Sequence, residues 1–170
     1  GKHQNVQKFV KNFVEYADFI NKHRRNYDMF NTVATTKGAI NGTKENLFNQ
    51  KVIFLDFDAK DYPELSNTKD HISRIKSILP RLFNHAVIES GSGGIHVYIA
   101  IEQSSNLKRV NSITKALAEI LGADRKASLE TQISRVPTTL NLKHKNPPLV
   151  TIYNYTINDP NHISYTLDKS

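Results

Sequence analysis

The sequence predicts an α+β fold with a largely antiparallel sheet flanked by helices, and three observations carry that prediction. Apolar residues recur at helical spacing in three segments, while short apolar or alternating segments between them have the pattern of strands. The predicted order is helix, strand, strand, helix, strand, strand, helix, then strands. Strands therefore come in hairpin-like pairs, whereas a parallel sheet needs a crossover between each pair. Finally, 170 residues suit one domain, or two small lobes sharing a core.

Val6, Phe9, Val10, Phe13, Val14, Ala17 and Ile20 predict an amphipathic helix over residues 6–20, with Lys8, Lys11, Asn12 and Glu15 outward. His23, Arg24 and Arg25 close it, since cations are favourable at a helix C-terminus. Tyr27 to Thr36 has the pattern of a strand, and Asn41 to Asn46 is turn chemistry, opened by an Asn-Gly pair that favours a tight reversal. Val52 to Leu55 is an apolar run that predicts a strand buried on both faces. Lys69 to Phe83 predicts a helix with Ile72, Ile75, Ile78, Leu79 and Leu82 on one side, kinked or ended by Pro80. Ala86 to Glu89 and Ile95 to Ile101 are strands. Leu107 to Leu121 is a helix stopped by Gly122, with Val110, Ile113, Leu117, Ile120 and Leu121 as its buried stripe. Pro147 and Pro148 break the chain before a last strand, Leu149 to Tyr155, and the tail from Asn158 is polar and expected to be peripheral. There is no internal repeat.

Composition narrows the function classes. An apolar content of 38% with 23% charged residues is ordinary for a soluble globular protein. The absence of cysteine excludes a disulfide framework and a cysteine-ligated zinc or iron–sulfur site, and fits a cytoplasmic location. No apolar run approaches the ~20 residues that span a bilayer, and there is no signal-peptide pattern, so no membrane partner is expected. The chain starts without methionine, which suggests a single domain, residues 1–170, from the N-terminal part of a longer protein. A net charge of +7 and a pI near 9.5 favour a polyanionic partner, nucleic acid first. Acidic groups gather beside the Val52–Leu55 strand, while Lys and Arg dominate elsewhere.

That strand runs into Asp56 and Asp58, which flank Phe57. Strand side chains alternate, so both carboxylates project to one side, about 7 Å apart along the backbone. Such a pair is costly without a compensating charge, and hard oxygen ligands suit Mg²⁺ or Mn²⁺. A solvated acidic turn is the competing reading, because Asp61, Pro63 and Glu64 follow. Ser90 to Gly94 holds three glycines in four positions, a composition that lets backbone N–H groups form an anion-binding nest. His96, opening the next strand, could donate to a phosphate oxygen, better when protonated. The competitor is an ordinary hairpin loop, which needs no glycine cluster. Arg135 offers the preferred fork for phosphate, in a segment that also holds Thr138, Thr139, Asn141, Lys143, His144 and Lys145. Two metal ions would need a third carboxylate, for which Asp124 is the first candidate and Glu130 the second.

The succession of Leu55-Asp56-Phe57-Asp58, then Ser92 to His96 entering a strand, then Gly122-Ala123-Asp124 upstream of Arg135 to Lys143, resembles the archaeo-eukaryotic primase superfamily. The likeness runs from about Asn31 to Lys143 and is closest to the primase-polymerase domains of plasmid, phage and mobile-element replication proteins. The resemblance implies an RRM-like, largely antiparallel sheet in two small lobes around a central cleft, and a DNA-templated nucleotidyltransferase that makes primers. It implies that Asp56, Asp58 and Asp124 are catalytic and bind two divalent ions, Mg²⁺ or Mn²⁺, and that there is no zinc. Asp124, eleven residues before Arg135, suits the family's spacing, whereas Glu130 sits too close. Ser90, Ser92, Gly94 and His96 would hold the triphosphate of an incoming NTP or dNTP, with Arg135 and Lys143 opposite, and Lys37 as a looser phosphate or template contact. The implied partners are single-stranded DNA template and a fused or associated helicase and helical accessory domain. One departure is Thr138, where many relatives have glycine. Two readings compete: a catalytically degenerate single-stranded DNA-binding module, and a haloacid-dehalogenase-like phosphatase using the Asp56 strand. The second lacks the expected threonine or valine after Asp58 and any downstream Gly-Asp-x-x-x-Asp motif.

Overall fold

The computed structural model describes residues 7–39, 41–156 and 164–167. The elements in order are α1 (Phe13–His23), β1 (Phe30–Thr32), β2 (Gln50–Phe57), α2 (Thr68–Ile78), β3 (Ala86–Glu89), β4 (Ile95–Ser104), α3 (Leu107–Leu121), β5 (Ile133–Arg135) and β6 (Thr151–Tyr155). Single 3-10 turns occupy Lys44–Asn46, Ala59–Asp61 and Arg125–Ala127. The main sheet has the order β2-β4-β3-β6, a second sheet pairs β1 with β5, and neighbouring strands in both run antiparallel. Because β2 and β3 both oppose β4, they run parallel to each other with β4 between them. Helix α2 is their crossover, which gives a split β-α-β unit.

Strand alternation builds two faces. Ile53, Leu55 and Phe57 of β2, Val87 of β3, and Ile95, Val97, Ile99 and Ile101 of β4 form one core cluster with Ile75 of α2 and Val110, Ala118 and Leu121 of α3. Full burial of each large aliphatic side chain contributes about 1.5–3 kcal/mol relative to exposure. The intervening residues Phe54, Asp56, His96 and Tyr98 face the other way. Phe54 lies edge-on to His96 and Tyr98, with ring centroids 5.1 and 5.3 Å away. On this side stands a smaller lobe of β1, β5 and α1, with its own cluster of Ile20, Met29 and Val136. The cleft between the lobes holds the candidate site.

Several boundaries differ from the sequence pattern. Helix α1 begins at Phe13 because the Asn12 side chain accepts from the Glu15 N–H at 3.0 Å and caps it there. Phe13 and Val14 remain 78% and 67% exposed, so these two residues of the apolar stripe do not reach the core. The expected helix start at Val6 lies outside the described residues. The Tyr27–Thr36 strand shrinks to Phe30–Thr32, the length over which β5 pairs with it. Helix α2 stops at Ile78, ahead of Pro80. Part of the tail is not peripheral. Beyond β3's reach, β4 presents an open edge, where the Tyr165 N–H donates to the Ala100 carbonyl at 3.0 Å and the Glu102 N–H to the Tyr165 carbonyl at 2.9 Å. Tyr165 and Leu167 pack on the main core, while 157–163 and 168–170 lie outside the described residues.

Candidate active site

Asp56 lies near the end of β2, on the side opposite Leu55 and Phe57, and is paired in register with His96 of β4. Its Oδ1 is 3.5 Å from His96 Nε2. Asp58 sits just past the strand end. Its Oδ1 accepts from the Lys60 N–H at 3.1 Å and so caps the Ala59–Asp61 turn, while Oδ2 pairs with the Lys60 ammonium at 3.1 Å.

Asp124 is brought to the same place by the end of α3. Gly122 adopts φ 72°, which favours glycine, and the Ala123 N–H returns to the Ala118 carbonyl at 2.8 Å. The Tyr62 hydroxyl donates to the Gly122 carbonyl and fixes this turn. The Asp124 N–H then donates to the Asp56 carbonyl at 2.7 Å, and its Oδ1 caps the Arg125–Ala127 turn through the Lys126 N–H at 2.9 Å. Burial, then the Asp124 charge, then the Asp58 charge push the Asp56 carboxyl up to about 6. Asp56 thus feels the charge of both other acids. Among the described residues, however, no three His, Asp or Glu side chains stand close enough together to hold a metal ion.

The glycine loop packs directly against this strand end. A Cβ on Gly94 would lie 2.4 Å from the Phe57 carbonyl oxygen, so only glycine allows the approach. The Ser90 hydroxyl donates to the Gly94 carbonyl at 3.1 Å and closes the loop. Beyond it, His96 is buried, and burial together with the Arg135 charge draws its ring down to about 4. The imidazole is therefore neutral at pH 7, not the cation that would favour phosphate most.

Arg135 of β5 forms the opposite wall. Its Nη1 donates to Asp28 Oδ1 at 2.7 Å, and its guanidinium lies 4.8 Å from the centre of the Phe30 ring. After Pro137 the chain forms a hairpin, closed by the pairing of Leu140 with Leu149. Asn141, on this hairpin, donates through Nδ2 to the Ser90 carbonyl (3.0 Å) and to Ser92 Oγ (2.9 Å). At its tip His144 Nε2 is 2.8 Å from Ser92 Oγ.

The result is a cleft of about 230 Å³. Asp56, Asp58, Ser90, Ser92, Gly94, His96, Arg135 and Lys143, eight of the residues singled out in the sequence, line it. Asp124 joins them through the Asp56 backbone. Lys37 does not: it is exposed, and its ammonium donates to the Glu45 carbonyl at 3.2 Å. Glu130 pairs elsewhere, with Lys44 at 3.2 Å and Asn111 at 3.4 Å. Sequence patterns do not point to Asp28, Phe30 or Gln132. Phe30 has the pattern of a core residue within a strand, and Asp28 belongs to no motif, yet Phe30 and Gln132 line the cleft and Asp28 holds its arginine.

No protein-family model and no curated protein matches the sequence. In three dimensions the chain is similar to the archaeo-eukaryotic primase (AEP) domain of the cyanophage S-2L primase-polymerase, with a TM-score of 0.63 at 13% identity, over 82% of this chain and 69% of that one. It is also similar to the primase RepB′, with a TM-score of 0.50 at 15% identity, over 65% of this chain and 35% of that one. At such identities the likeness is one of fold. What is shared is the fold, an α+β architecture with antiparallel sheets and, among the described residues, three helices, similar to that of the AEP domain.

Proposed function

We propose that the chain is the catalytic domain of a DNA-templated nucleotidyltransferase, a primase or polymerase that adds nucleotides from NTPs or dNTPs. The observation that carries this reading is that Asp56 and Asp58 line a cleft which the Ser90–Gly94 loop and Arg135 complete, with Asp124 tied to the Asp56 carbonyl through its backbone N–H. The names of the two similar structures, a primase-polymerase and a primase, support it.

The donor set fits a hard divalent cation in its chemistry, being all carboxylate oxygen, and in its charge. Asp56 carries a repulsion from both neighbours that a cation would offset. Asp56, Asp58 and Asp124 would hold two Mg²⁺ or Mn²⁺ ions. When bound, such ions activate the attacking 3′-hydroxyl and stabilise charge on departing pyrophosphate. The rest falls to the chain itself. Backbone N–H groups of the glycine loop, with Ser92, orient the triphosphate. His96 offers a neutral hydrogen bond, Arg135 a planar fork and Lys143 a mobile point charge. Basic residues outside the cleft hold single-stranded template, and a helicase and a helical accessory domain are the partners such a domain would work with.

The ion pair of Asp58 with Lys60 favours a second reading, in which the same fold binds single-stranded DNA without chemistry. Metal-dependent incorporation of labelled nucleotide on primed and unprimed templates separates the two. The polymerase reading expects incorporation by the wild type and none by the Asp56→Ala, Asp58→Ala double variant, with DNA binding retained. Full activity in that variant would defeat it.

A further inference from the structure

We propose that Asp28 is a positioning residue of the nucleotide site, holding Arg135 and the Asn141–Lys143 segment in one register. The inference rests on the reading above and goes beyond it by adding a residue that touches no substrate. One carboxylate oxygen, Asp28 Oδ1, accepts from Arg135 Nη1 at 2.7 Å and from the Leu142 N–H at 2.8 Å. The donors lie 107 and 114 residues further along the chain and belong to different elements, β5 and the hairpin that follows it. Both lead into the cleft. Arg135 lines it, and Leu142 sits between Asn141, which grips Ser90 and Ser92, and Lys143, which also lines it.

Position and burial separate this contact from an ordinary surface ion pair, which contributes little. The Arg135 side chain is only 8% exposed, and its charged hydrogen bond is short. Asp28 takes one guanidinium nitrogen and Phe30 takes the face, which fixes the plane in which the remaining N–H groups point. Asp28 is itself fixed from behind, because Tyr27 and Met29 pack in the smaller core and the Val136 N–H donates to the Met29 carbonyl at 3.0 Å. Arg135 and the hairpin thus take their places from one point, and the anion meets donors already aimed at it.

The test titrates dATP with Mn²⁺ into the full chain by calorimetry and measures incorporation kinetics in parallel. Asp28→Ala is expected to weaken dATP binding about tenfold, the scale of a lost hydrogen bond to a charged group. KM should rise more than kcat falls. Asp28→Asn, which keeps an acceptor for Leu142, should recover part of the loss. If Asp28 acts through Arg135, Asp28→Ala added to Arg135→Ala should cost little more than Arg135→Ala alone. Thermal melts identify a variant that fails to fold, and Asp28→Asn is then measured against wild type in its place. Wild-type affinity in a folded Asp28 variant, or singles that multiply fully in the double, overturns the inference while leaving the polymerase reading intact. A wild type that neither binds dATP nor incorporates nucleotide removes the reading and the inference together.

Discussion

Thr138 is the one non-glycine residue with positive φ among the described residues, at 70°. A β-branched side chain in the left-handed region costs about 1–2 kcal/mol, because Cβ crowds the following carbonyl. The conformation is imposed by the hairpin, where the Thr138 N–H donates to the Val150 carbonyl at 2.7 Å. This turn explains why a glycine would suit the position at which the sequence departs from its resemblance. Replacing Thr138 by glycine relieves the crowding but adds freedom to the unfolded chain, a cost of about 0.5–1 kcal/mol. The net expectation is that Thr138→Gly stabilises the fold by about 0.5–1 kcal/mol, measured as a higher urea midpoint with an unchanged slope. A lower midpoint would mean that the threonine side chain makes a contribution larger than the strain. At this same scale the sequence was most informative about Asp56 and Asp58, which directly follow the apolar run and both line the cleft, although Asp58 lies just past the strand end. It was least informative about His96, whose neutral state follows from burial and from Arg135, 39 positions along the chain.

At the scale of elements, α2 supports the glycine loop from below. His71 on its inner side is 1% exposed, meets the Tyr62 ring edge-on at 5.8 Å and contacts the Gly93 backbone. Burial is the main reason its ring is drawn below the ordinary histidine range. The folded protein resists protonating His71, whereas the unfolded chain takes up that proton near pH 6.5, the reference value of about 6.5 for histidine. The unfolded state therefore binds more protons as pH falls through this range. The contribution is fully present above about pH 6.5 and is lost on acidification below it. Urea midpoints for wild type and His71→Gln at about pH 7.5 and pH 5.5 should show a smaller acid-induced drop in the variant; equal drops would remove His71 as the cause. Periodicity located α2, α3, β3 and β4, although two residues of the expected buried stripes, Ile120 of α3 and Ile78 of α2, are 55% and 38% exposed. It failed for β1, whose three residues are a strand only because β5 lies alongside, and for α1, whose first apolar residues, Phe13 and Val14, stay exposed.

For the whole molecule the net charge of +7 becomes a statement about polyanions. If the domain holds a single-stranded template electrostatically, each neutralised phosphate contributes a slope of about −0.7 in log affinity against log salt. Three or more contacts would then weaken binding roughly tenfold or more between about 50 and 200 mM salt. Anisotropy of a labelled oligonucleotide measures this directly, and an affinity that does not change with salt would assign binding to stacking and hydrogen bonds instead.

The sequence by itself determined the α+β class and the main helices and strands, since alternation and helical spacing are local properties, and it marked the acidic strand end and the glycine loop by composition. Only tertiary structure decided which distant groups meet there. A backbone hydrogen bond ties Asp124 to Asp56, while Glu130 pairs with Lys44. A carboxylate at position 28 governs an arginine at 135, and an exposed Lys37 stays at the Glu45 carbonyl. Such meetings depend on loop closure across a hundred residues, and no short-range pattern encodes them.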